Sequence, residues 1–109
     1  MGIAVSGARY LGRPPTRFLH NGEPSLSLWL NTQRGRRTTD DVGRLGYFVA
    51  VDMRDGCAGR DIADPATLYR HLTAWHGFAP DSPNVRAIGP AYAEYLVAAA
   101  AERAVGGAE

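Results

Sequence analysis

The chain contains no lysine: all twelve of its basic residues are arginine. Arginine, alanine and glycine have GC-rich codons and lysine does not, so this points to a GC-rich genome, its phages and plasmids included. An arginine here therefore says less about selection for a guanidinium than it would elsewhere. There is one cysteine, Cys57, which excludes an internal disulfide and suits a reducing cytoplasm. No apolar run approaches the roughly 20 residues that span a bilayer. The amino end, MGIAVSGARYLGRPP, lacks the basic start and apolar stretch of a signal peptide. There are no repeats, no long linker, no glycine-rich phosphate loop, no G-x-S-x-G elbow and no H-E-x-x-H pair. A Cys57–His71 dyad would be a nucleophile in principle, but nothing marks an oxyanion site beside it. The expectation is a protein that is not an enzyme.

What is present is the composition of a folded domain. Over 109 residues the hydrophobic share is 45% and the charged share 21%, enough apolar material for one core. The pattern "SLSLWLNT" (25–32) alternates Leu26, Leu28 and Leu30 with Ser27, Trp29 and Asn31, and predicts a strand. "GYFVAVDM" (46–53) predicts a central strand, with Tyr47, Val49, Val51 and Met53 on one face. Shorter extended pieces are expected at 3–5 and 17–20. The segment 33–45 between the two main strands reads as a long hairpin loop, with one helical turn over 39–44 as the other reading.

Two helices follow. Asp64 as N-cap, Pro65 at the first position and Gly77 as terminator predict a helix over 65–76. Its apolar stripe would be Leu68, Leu72 and Trp75. A second helix is expected over 90–105, with Tyr92, Leu96 and Ala99 towards the core. Strands first and helices last give an α+β class, both helices packed on a small antiparallel sheet. The whole chain reads as a single domain, with a loosely ordered segment 1–16 and a frayed tail 106–109.

The stretch "DGCAGRDIADPATLYRHLTAWHG" (55–77) holds the cysteine and two of three histidines. Thirteen residues separate Cys57 from His71, and His71-x4-His76 follows. Leu68 stands three before His71 and Ile62 six before Leu68. From Cys57 to His76 this resembles the second half of a two-cysteine, two-histidine zinc finger. That resemblance implies zinc held by Cys57, His71 and His76. The first cysteine is missing, since only Met53, Arg54, Asp55 and Gly56 precede Cys57 at the required spacing. Asp52 or Asp55 would have to supply an oxygen, or His20 a nitrogen from elsewhere. On a regular helix, positions 71 and 76 lie about 140° apart, so both reach one ion only if the helix tightens or ends near Trp75. The balance favours no zinc, with both histidines flanking the core stripe and Cys57 as apolar filler. The alternative is a degenerate finger that has lost its metal and kept its core.

Charge is unevenly placed. Residues 9–37 carry six arginines against Glu23, a balance of +5, while residues 38–64 carry three arginines against six aspartates, −3. "QRGRR" (33–37) on a projecting loop can contact phosphates or an acidic protein surface. Arg34, Arg36 and Arg37 are the main candidate contacts, with Arg13 and Arg17 supporting. If the three leucines face the core, Trp29 lies on the opposite sheet face as a platform for a partner. The expectation is thus a small cytoplasmic accessory or regulatory binding module that contacts nucleic acid or an acidic protein through its arginine-rich loop. The alternative is a protein-interaction or inhibitor module, phage- or plasmid-encoded, that uses Trp29 and a strand edge. No membrane partner is expected.

Overall fold

A computed structural model describes residues 17–36, 39–56 and 62–107. The whole segment 1–16, with the expected strand at 3–5 and Arg13, lies outside the described residues, as do Arg37, Cys57 and the last two residues of the tail. The chain is α+β: a two-stranded antiparallel sheet followed by helices.

The sheet is a minimal hairpin. Strand β1, Leu19–His20, pairs with β2, Glu23–Pro24, with Leu19 opposite Pro24 and His20 opposite Glu23. Asn21 and Gly22 connect them with φ of 55° and 82°. Two successive residues in the left-handed region make the turn whose twist matches the strands, and Asn-Gly is the pair that tolerates it best. The amide of Ser25 then donates to the Phe18 carbonyl at 2.8 Å, closing the hairpin onto the first helix.

Both segments expected to be the main strands are helical. Helix α1 covers Leu26–Thr32, and Ser25 caps it in extended conformation, its hydroxyl accepting from the Leu28 amide. Residues 26 to 30 are all buried, so a run this apolar carries no periodicity that separates strand from helix. Helix α2 covers Asp41–Arg54, with the Asp40 carboxylate accepting from the Gly43 amide at 3.0 Å. Its buried Val42, Leu45 and Val49 recur at helical spacing. The alternation over 46–53 is a fragment of that longer pattern, cut short by starting at Gly46.

Helices α1 and α2 pack very closely. A Cβ placed on Gly46 would stand 2.4 Å from the Leu30 carbonyl oxygen, so glycine is required by proximity at this crossing.

The two expected carboxy-terminal helices are found. Helix α3, Pro65–Arg70, begins at Asp64, whose carboxylate accepts from the Thr67 amide at 2.8 Å and its hydroxyl at 3.0 Å. It runs directly into a π turn, His71–Trp75. Gly77, at φ 76°, ends the element. A short helix α4, Pro83–Arg86, leads into α5, Ile88–Gly107. The buried face of α5 is Ile88, Ala91, Tyr95 and Ala99, whereas Leu96 is exposed, which corrects its expected place in the core. Tyr95 takes that place, with its ring edge-to-face against both Phe18 and Trp29 at centroid separations of 6.2 and 6.1 Å. One core joins α1, α2, α3 and α5. Among the described residues, no helix is long and apolar enough to cross a membrane.

Candidate functional site

The carboxylate of Asp52, on the last turn of α2, is almost wholly buried, with 4% of its side chain exposed. One oxygen, Oδ2, lies 2.6 Å from His71 Nε2 and 3.0 Å from His76 Nε2. His71 opens the π turn and His76 caps its end. They meet edge-to-face with centroids 4.9 Å apart, while the His76 ring also rests edge-on against Phe48 of α2 at 4.9 Å. Phe78 closes the far side, 5.3 Å from Phe48. The cluster is therefore polar at its centre and aromatic around it.

The π turn makes the convergence. The His76 amide donates to the His71 carbonyl at 3.2 Å, an i→i+5 bond, and the Phe78 amide donates to the Leu72 carbonyl at 3.0 Å. A π turn is in effect an α turn with one extra residue inserted. His71-x4-His76 thus places its rings as a pair four apart would stand on a regular helix, on one face. The separation of about 140° that holds for a regular helix does not apply. The departure is a widening, where the sequence suggested a tightening or an early end.

The same insertion corrects the stripe of α3. Leu68 and Leu72 are fully buried, but Trp75 is turned outward and 69% exposed. Its ring stacks on His71, with planes 10° apart and centroids 6.4 Å apart. Thr67, Arg70, His71, Ala74 and Trp75 line a shallow groove along the outside of α3. The sequence carries no local signal for it, because regular helical spacing places Trp75 in the core.

The remaining candidates are dispersed. Trp29 is only 4% exposed and packs in the core, so it is no platform; the expected strand face does not exist once 25–32 is a helix. Arg34 is 8% exposed, and burial lowers its pKa. Arg36 is the centre of an internal ion network. It reaches Asp40 Oδ2 through Nη2 at 2.7 Å and Nε at 2.9 Å, and Glu94 Oε1 on α5 through Nη1 at 2.8 Å. Those bonds, Glu94 first, raise its pKa. Arg17 pairs with Glu102 of α5. Among the described residues the only cluster with metal-ligating atoms in mutual reach is Asp52, His71 and His76; His20 is not part of it. Nor is the setting that of a finger hairpin, because residues 41–54 are helical.

In comparisons with protein-family models, curated proteins and solved structures, the chain finds no match. The reading of the site rests on its own geometry.

Proposed function

We propose that this protein is a cytoplasmic, non-enzymatic accessory or regulatory module that binds an acidic protein surface through the Trp75–Arg70 face. The observation that carries the reading is the 69% exposure of Trp75 in a groove shared with Arg70. Tryptophan and arginine are both enriched among the few residues that dominate protein interfaces. Trp75 is held in place by stacking on His71, so little freedom is lost when a partner covers it. Arg70 supplies the charge that favours a carboxylate-bearing partner.

A protein partner is favoured over nucleic acid by the fate of the other arginines. Phosphate binding draws on summed positive charge. Here Arg36 and Arg17 are engaged by carboxylates of the same chain and Arg34 is buried.

Tryptophan fluorescence with a panel of acidic, leucine-containing peptides tests this. Trp29 is shielded in the folded protein, so a change in emission on binding reports Trp75. Binding should shift that emission to the blue; with a dye-labelled peptide, whose anisotropy reports binding without Trp75, either Trp75→Ala or Arg70→Glu should abolish binding. Binding that survives both substitutions overturns the reading. So does a preference for oligonucleotides with an affinity that falls steeply as salt rises.

A further inference from the structure

We infer that Asp52, His71 and His76 form a binding site for a divalent transition-metal ion, zinc by preference. This inference does not rest on the partner reading: its ligand atoms lie on the inner side of the π turn, although His71 also lines the outer groove.

Three observations converge. The first is the donor set. Two imidazole nitrogens and a carboxylate oxygen are the ligands that zinc takes in three-ligand protein sites, the fourth position being left to water or another group. The second is their geometry. The three ligand atoms all lie within 4.8 Å of one another, and both Nε2 atoms approach a single oxygen. Zinc bonds of about 2.0–2.2 Å set tetrahedral ligand atoms about 3.3 Å apart. The His–Asp separations of 2.6 and 3.0 Å would open by less than about 1 Å to admit the ion, a shift within side-chain rotation.

The third observation is the backbone. The turn that carries both histidines is π-helical, a conformation rare in proteins and concentrated at functional sites. It turns a large apolar side chain, Trp75, out into water. What it achieves is the placement of His71 and His76 on one face, opposite Asp52. Two ring nitrogens converging on one carboxylate oxygen are also the arrangement in which all three atoms can face a single ion.

Burial adds an electrostatic reason. A carboxylate at 4% exposure has lost most of its hydration, and such charges are paired or hold metals. To hold the ion through Nε2, each neutral ring would carry its proton on Nδ1, leaving the Nε2 lone pair for the metal. The partly exposed edges of both histidines leave the ion a path from solvent.

The experiment is a zinc titration of the full chain after dialysis against a chelator, with affinity read by competition against a chromogenic zinc indicator. Cobalt serves as a spectroscopic substitute. One zinc per chain is expected, with a rise in Tm on saturation. Cobalt should give the visible absorption of a four-coordinate ion and quench the fluorescence of Trp75 through the stacked His71 ring. His71→Gln and His76→Gln keep an N–H that can donate to Asp52 but remove the imidazole ligand. Each should weaken zinc by at least about tenfold, since changing even the partners of a ligand commonly costs 10–100-fold. His20→Gln should change nothing. Absence of zinc binding at millimolar concentration overturns the inference, as does equal affinity in the two glutamine variants with circular dichroism showing them folded.

Discussion

At the scale of single residues, the two tryptophans have opposite roles. Trp29 fills the space between α1 and Tyr95, and removing it leaves a cavity among rigid neighbours. Trp29→Ala should cost about 3–5 kcal/mol of folding stability. Trp75 has water on most of its surface, so Trp75→Ala should change stability by no more than about 0.5 kcal/mol. Urea denaturation of the two variants checks both values. Comparable losses would show that Trp75 is packed after all, and the proposed recognition face would fail with it.

Arg36 is a second residue whose role the structure reverses. It resembles a surface contact in sequence, yet it holds the turn after α1 to α5 through Asp40 and Glu94. Because the pairs are partly exposed, Arg36→Met should cost only about 0.5–1 kcal/mol, and less in high salt. Asp40 gives this network a pH dependence. The Gly43 amide first, and then Arg36, hold its carboxyl below the usual aspartate range. A group whose folded pKa is depressed binds its proton more readily in the unfolded chain. Its contribution is therefore complete above the unfolded value of about 3.9 and is lost as pH falls through the lower folded value. Asp64 acts in the same direction, through the Thr67 amide and hydroxyl. Asp40→Asn retains a cap acceptor but removes one titration, so Tm should decline less steeply in acid than in the parent protein. An unchanged acid limb would contradict this account.

At the scale of elements, the crossing of α1 and α2 and the π turn of α3 are the two places where backbone geometry constrains the sequence. Gly46 sits against the Leu30 carbonyl, a backbone atom that cannot rotate aside. Gly46→Ala should therefore destabilise by about 1–3 kcal/mol through overpacking, although alanine is the better helix former by about 1 kcal/mol. A stabilised variant in thermal unfolding would mean that the two helices separate freely.

The capping residues were legible in sequence at α3, where Asp64, Pro65 and Gly77 bracket the helix as found. They were equally present at α1 and α2, as Ser25 and Asp40, but the apolar alternation following each obscured them. Leu26, Leu28 and Leu30 satisfy a period of two, and so does any stretch in which every position is buried. Unbranched leucine is a strong helix former, and that preference agrees with the cap and not with the strand. The Asn21-Gly22 turn is likewise a strong local hairpin signal. Its strands, at two residues each, are too short to show any periodicity.

At the scale of the whole molecule, charge is spent on cohesion. The amino-terminal third is strongly basic in sequence, yet its described arginines meet carboxylates of α5 and of the α1–α2 connection, or lie buried. The exposed chemistry is concentrated along α3 instead. There a metal-ligand cluster on the inner side and an aromatic groove on the outer side share His71. If both readings hold, an ion at Asp52 would stiffen the ring on which Trp75 stacks, and zinc should raise the affinity of the Trp75 face for its acidic peptide. Measuring peptide affinity with and without zinc decides this coupling; equal values would leave the two functions separate.

The amino-acid sequence by itself determined the α+β class, the two carboxy-terminal helices and the pairing of His71 with His76 as a noteworthy spacing. Those features depend on caps, prolines, glycines and helical periodicity, all of which act within a few residues. Tertiary structure alone decided that Trp29 is inside and Trp75 outside, that Arg36 faces Glu94 from 58 positions away, and that Asp52 meets both histidines. One inserted residue in a helical turn rotates everything beyond it. Whether a turn accepts that residue is set by what the neighbouring helix offers to the side chains it brings round, here a buried carboxylate on α2.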